Sequence, residues 1–269
     1  MSKKVKSLIV VLLIFSAILL GCTSQEEKDA IDAFESASAN VEKLNSDLDK
    51  NISDAETLIQ TNEKALDETA IAELETAVST AKSAKIIIPE QPKEIESIKS
   101  ETDKLNSTDY TNIIQQITDS KTKYENSIKQ LKQVTAPTEA FIIERVQAVE
   151  GVTGVSAATE ENDPNGQLGK QGGYTSQVFF SYNLVNQDEV SGNSIIEKGT
   201  DSGGSIEVYN TIEEAENRNS YLSSFDGGIF ASGSHNTLGT IVVRTSNELT
   251  ASQQKELEAK LINSLIELK

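Results

Sequence analysis

Apolar residues in the first half of the chain recur at steps of three and four. Phe34, Ala37, Val41, Leu44, Leu48, Ala55 and Leu58 form one stripe, which predicts a long first helix. Ile71, Leu74, Val78 and Ala81 predict a second helix, from about Glu68 to Lys85. Ile86-Ile87-Ile88 then leads into Pro89 and Pro92. Pro lacks an N–H and disfavours helix in the residue before it, so this run is expected to be extended, and its three isoleucines buried. Ile95, Ile98 and Leu105 predict a third helix from Lys93 to Leu105. A fourth, running to about Val134, is predicted by Tyr110, Ile113, Ile114, Ile117, Tyr124, Ile128 and Leu131. No glycine lies between Cys22 and Glu150. That agrees with helix, since Gly inside a helix costs about 1 kcal/mol against Ala. Short connections favour an antiparallel bundle. The other arrangement is an extended coiled-coil stalk, for which the stripe has many small residues and few leucines.

The pattern changes at Pro137. Fourteen of the 15 glycines and nine of the 13 Phe and Tyr residues lie beyond it, so a different kind of fold is expected there. Thr138 can cap a helix whose face is Phe141, Ile142, Arg145, Val146 and Val149. Strands are predicted at 152–158, 176–182, 205–209, 228–232 and 240–245, with a long loop over 162–173. In the third strand Ile206 and Val208 face one way. Thr211 with Glu214, and Thr250 with Gln253, are capping boxes. They open a helix to about Ser223 and a last helix through Leu257, Leu261, Leu265 and Leu268. The fold class is therefore α+β: an N-terminal helical bundle or stalk, then a C-terminal domain with a mostly antiparallel sheet and helices covering one face. The expected division is 1–21, 22–136 and 137–269.

The first segment carries a different signal. Lys3, Lys4 and Lys6 precede the apolar run Leu8 to Leu20, and Gly21 follows, which is the layout of a secretory signal peptide. The apolar run is short for a membrane span of about 20 residues. Leu19-Leu20-Gly21-Cys22 resembles the bacterial lipobox. The resemblance implies a diacylglyceryl group on the Cys22 sulfur, cleavage before Cys22 and a lipid anchor on the extracytoplasmic face of the cell membrane. Two acyl chains hold stably where one is marginal, at about 0.8 kcal/mol per buried CH₂. Loss of residues 1–21 removes three lysines from a chain of net charge −18 and leaves −21. Such acidity excludes nucleic acid as a partner class and argues against the body lying on an anionic bilayer. The expected partners are the membrane, through the lipid, and an unknown envelope or extracellular component. Lysine outnumbers arginine 21 to 3, as in low-GC Gram-positive sources.

Two further resemblances bear on the body of the chain. The Ala- and Lys-rich segment from Ala65 to Lys85 resembles the three-helix repeats of Gram-positive surface proteins, some of which contact matrix or glycans. Asn162-Asp163-Pro164-Asn165-Gly166, Gly172-Gly173-Tyr174, Gly199 to Tyr209 and Ala231 to His235 together resemble the C-terminal module of uncharacterised Gram-positive surface lipoproteins. That resemblance implies an envelope location and a shared fold, and no reaction.

Candidate chemistry is sparse. One Cys excludes an internal disulfide and a Cys-based zinc site, and one His excludes a His-rich metal centre. His235 stands beside Ser232 and Ser234, with Asp226 as a possible acid, but no Gly-x-Ser-x-Gly elbow is present. Asp163 and Asn165 begin a loop that departs from a calcium-binding pattern at Gln167, Leu168 and Tyr174, and an Asn-Gly turn is the plainer expectation. Asp201 lies in a glycine-rich turn that lacks the Gly-Lys-Ser/Thr of a phosphate loop. Asp163, Asn165, Asp201 and His235 are the candidate surface site, Cys22 is the candidate lipidation site, and no cofactor is implied. A non-enzymatic binding module on a helical spacer is the preferred reading. An envelope enzyme and a substrate-capture lipoprotein are the alternatives.

Overall fold

The computed structural model describes residues 24–228 and 233–269. The segment 1–21, Cys22 and all but Gly228 of the strand expected at 228–232 lie outside the described residues. Among the described residues there are eight α-helices and five strands. They are α1 (Gln25–Thr61), α2 (Ala70–Ala84), α3 (Ile95–Asn106), α4 (Thr111–Gln133), α5 (Glu139–Gln147), β1 (Val152–Ala157), β2 (Ser176–Tyr182), α6 (Ile195–Lys198), β3 (Gly203–Val208), α7 (Ile212–Ser223), β4 (His235–Leu238), β5 (Ile241–Thr245) and α8 (Ala251–Ile266). No helix among the described residues is long and apolar enough to cross a membrane.

The chain forms two compact units. Among the described residues, the first takes those up to Asp47 together with Lys85–Tyr110, and the second takes Leu48–Ala84 and the residues from Thr111 to Lys269. The composition boundary at Pro137 thus falls inside the second unit.

In the first unit Ala30, Phe34, Ala37 and Val41 of α1 pack on Ile98 and Leu105 of α3. The segment after α2 is extended, as expected, but it is not buried. Ile87 is 89% exposed and Ile86 is also open, while Ile88 alone packs on the core. Polar bonds hold this segment instead. Tyr110 donates to Asn45 at 2.8 Å and accepts from the Ile86 N–H, and Asn45 donates to the Ile86 carbonyl.

In the second unit α2 and α4 pack together, with Leu74, Val78, Ile117 and Tyr124 buried. Lys123 of α4 bridges Glu73 of α2 at 2.8 Å. The end of α4 is bound to the sheet. Val134 is fully buried in the main core, its carbonyl accepts from the Thr240 N–H at 3.1 Å, and Gln133 donates to the Leu265 carbonyl at 2.7 Å.

The sheet has the order β1-β2-β3-β5-β4, and every pairing is antiparallel. A bulge interrupts β1 between Val152 and Gly154. One face carries Val178, Phe180, Ile206, Val208, Ile241 and Val243 under α5 and α8, whose Ile142, Val146, Leu257, Leu261 and Leu265 complete the main core. Gly204 stands opposite Phe180 in the register. A Cβ at Gly204 would lie 2.3 Å from the Phe180 ring and 2.4 Å from the Arg244 carbonyl, so only glycine fits.

The expectation that helices cover one face is corrected. The second face is covered too, by α7 through Ala215 and Leu222 and by α6 through Ile196. β4 lies beyond the strand expected at 228–232 and was not itself expected. It starts at His235, and residues 235–238 pair with β5. Both capping boxes form as expected. Thr250→Ala is expected to lower stability by about 1 kcal/mol, since it strips the Gln253 N–H of its acceptor. Thermal unfolding followed by circular dichroism would show the loss.

Candidate functional site

The second sheet face carries polar residues where a core would ordinarily be apolar. Alternation along β3 places Ser205 and Glu207 there, opposite Arg244 and Val242 of β5 and Phe179 and Gln177 of β2. The capping box at Thr211 sets the start of α7, and helical spacing then brings Arg218 down onto Glu207 while Ala215 and Leu222 seal the flanks.

Glu207 is fully buried and accepts four hydrogen bonds. Arg218 donates through Nε at 2.8 Å and Nη2 at 3.0 Å, Arg244 through Nη1 at 2.9 Å and Tyr209 through its hydroxyl at 2.8 Å. Burial alone pushes this carboxyl up. The Arg218 bonds, the two guanidinium charges and the Tyr209 hydroxyl outweigh burial and hold it below the usual glutamate range. Burial and the Glu207 charge push the Tyr209 hydroxyl up in turn, so it stays a donor. Gln177 faces Glu207 across the β2–β3 register, fully buried, and neither end of its amide has a hydrogen-bond partner among the described residues.

Above this network lies the loop between β1 and β2, folded around one carboxylate. Asp163 accepts from the backbone N–H groups of Asn165, Gln167 and Leu168 at 3.0, 2.6 and 2.8 Å and from the Tyr174 hydroxyl at 2.5 Å. Burial pushes its carboxyl up, and the Tyr174 hydroxyl with the three N–H groups more than reverses that. Asn165 donates to the same Tyr174 hydroxyl at 3.3 Å. Gly173 closes the loop against the Gln167 carbonyl, which a Cβ would meet at 2.0 Å.

The loop, Tyr209 and α7 enclose a hollow of about 550 Å³, within the roughly 300–1,000 Å³ of small-molecule sites. Asn165, Gln167, Tyr174, Asn217, Arg218 and Tyr221 are among its walls. Tyr174 and Tyr209 meet edge to face at 6.3 Å. Tyr221 is 58% exposed, with the Arg218 guanidinium 5.6 Å from its ring centre and Phe225 edge-on at 5.0 Å. A wider hollow of about 870 Å³ is lined by Glu63, Leu66, Ile71, Glu213 and Glu216 among others.

The candidate surface residues therefore separate. Asp163 and Asn165 come together at the hollow, and Asp163 spends both oxygens on its own loop. Asp201 sits in the turn that precedes β3, at the far end of that strand from Tyr209, and is exposed. His235 is on the same sheet face as Arg244 but one strand out. Its Nδ1 lies 2.6 Å from the Asn219 Oδ1 and its Nε2 3.2 Å from the Asp226 Oδ1. The pairing of His235 with Asp226 is thus present. The Ser234 hydroxyl is bonded to Thr245 at 2.8 Å, and Ser232 lies outside the described residues.

The residues at the base of the hollow were missed by the sequence reading. The signal that points to them is the scarcity of arginine. All three arginines make ion pairs, with Arg145 and Arg244 buried and Arg218 mostly so, whereas the lysines stay at the surface wherever an ion pair is seen. No group of His, Cys, Asp and Glu that could hold a metal ion occurs among the described residues. Compared with family models, curated proteins and solved structures, the chain matches none of them.

Proposed function

We propose that the protein is a lipid-anchored binding protein of the extracytoplasmic face, with the hollow beneath α7 as its ligand surface and the N-terminal helices as spacer or contact module. The observation that carries the binding part is the state of the carboxylates around the hollow. Glu207 is held by two arginines, Asp163 by its loop, and Glu214 by the Thr211 N–H at 3.2 Å. Carboxylates fixed in this way hold the walls of the hollow in one geometry, which suits recognition better than proton transfer. The anchor part is supported by Leu19-Leu20-Gly21-Cys22 and the basic, apolar segment before it.

Cells fed a radiolabelled palmitate are expected to label the protein, and Cys22→Ala is expected to lose both the label and the membrane fraction. Retention of that variant on the membrane sinks the anchor. A second reading, an envelope hydrolase, draws on the contact between His235 and Asp226. It predicts that His235→Ala abolishes an activity that Tyr221→Ala leaves in place.

A further inference from the structure

We infer that the hollow beneath α7 takes a neutral saccharide unit, stacked on Tyr221 and hydrogen-bonded by the carboxamides of Asn165, Gln167 and Asn217. The inference rests on the reading above that this hollow is the ligand surface. Three observations carry it.

The first is the aromatic rim. Tyr221 keeps more than half of its surface in solvent although Arg218 and Phe225 hold its ring in place. A large apolar ring fixed at the mouth of a polar hollow offers a flat face to a ring with C–H groups on one side. The chain has no Trp, so tyrosine is the largest platform available to it.

The second is the wall chemistry. Asn165, Gln167 and Asn217 line the hollow. Each carboxamide supplies donors and an acceptor together, which matches neighbouring hydroxyls that both give and receive.

The third is charge. Arg218 has two of its nitrogens on Glu207, and Arg244 shares the same carboxylate. Asp163 and Glu214 add two negative charges nearby and Lys170 of the same loop adds one positive charge, so the surroundings are close to neutral. A phosphate or carboxylate ligand finds both arginines already spent on Glu207 and only the solvent-exposed Lys170 of the loop besides, and the whole chain is strongly acidic. A cationic ligand is repelled by the Arg218 guanidinium, 5.6 Å from the Tyr221 ring centre, whereas a neutral ring needs only the part of the ring that Arg218 leaves open. A neutral, hydroxyl-rich ligand meets neither obstacle.

The test uses the full chain in a detergent without sugar head groups. Saturation-transfer NMR and calorimetry are run with triacetylchitotriose, maltotriose, trigalacturonate and trialanine as probes. At least one neutral trisaccharide is expected to bind saturably with Kd below about 1 mM. Tyr221→Ala is expected to weaken it about tenfold or more, Asn217→Ala to weaken it similarly, and Tyr221→Phe to keep it within about twofold. Because Tyr221 is exposed, an unchanged circular dichroism spectrum is expected for its variants.

Failure of both neutral trisaccharides to bind at ~10 mM overturns the inference. Trigalacturonate or trialanine binding in their place, and lost in Tyr221→Ala, overturns the saccharide while keeping the hollow as the ligand surface. A neutral trisaccharide that binds equally to wild type, Tyr221→Ala and Asn217→Ala overturns both.

Discussion

Glu207→Gln is expected to destabilise the second unit by about 3–5 kcal/mol, because it leaves the positive charges of Arg218 and Arg244 buried without their counter-charge. The pair itself is not what stabilises the fold. Replacing the whole group with apolar residues, Glu207→Leu, Arg218→Met, Arg244→Met and Tyr209→Phe together, is expected to recover most of the loss, since no uncompensated charge then remains. Urea midpoints for the two variants separate these cases. A small effect of the single substitution, under about 1 kcal/mol, means that water reaches the arginines.

The same carboxyl sets a pH dependence. Its value in the folded protein is depressed below the ordinary 4.5. Its contribution is therefore complete above about pH 4.5 and is lost as pH falls through the lower folded value. Wild-type protein should lose stability on acidification, and Glu207→Gln should show a flatter profile over that range. Asp163 acts in the same direction, so some acid dependence persists in the variant.

Phe180→Ala is expected to cost a similar amount, about 3–5 kcal/mol. The ring is fully buried on the interior strand β2, opposite Gly204 on one side and Val155 on the other. Neighbouring strands are fixed by their ladders and cannot move in to fill the space. The vacated volume does not make Gly204→Ala acceptable, because the Arg244 carbonyl still stands 2.4 Å from the added Cβ. The double variant should be no more stable than Phe180→Ala alone by urea unfolding. A double variant more stable than the single one shows that β3 and β5 can part at this point.

Much of the architecture was legible because it depends on local rules. The two capping boxes gave the starts of α7 and α8, β2 fell at 176–182 as its apolar cluster predicts, and the helical stripes located α1 to α4 within a few residues. The ladder Ile206-Glu207-Val208 shows where such reading stops. Alternation correctly put Ile206 and Val208 on one face, and a polar residue between them reads as solvent-facing. Glu207 is buried because α7, which begins five residues after it, folds back over that face, and its partners come from 11 and 37 residues further along the chain. Ile86-Ile87-Ile88 fails in the opposite sense. Its backbone is held by Tyr110 and Asn45, and that fastening needs no burial of the side chains. β4 was missed because His-Asn-Thr-Leu has little intrinsic strand preference and pairs only because β5 lies beside it. The hollow itself comes from a loop wound on Asp163, and spacing alone cannot tell a carboxylate that binds its own backbone from one that binds a ligand.

The bulge in β1 and the brevity of β4 have a consequence for neighbouring copies. A long flat edge recruits strands from other chains. Here the two outer strands are poor templates. β4 offers four residues, and β1 is bent between Val152 and Gly154, with the Ile195 side chain of α6 seated against Gly154. Molecules held side by side on one surface meet far more often than the same molecules free in solution. Were this chain anchored as proposed, a sheet with blunted margins would let its copies stand at that density without zippering into one another.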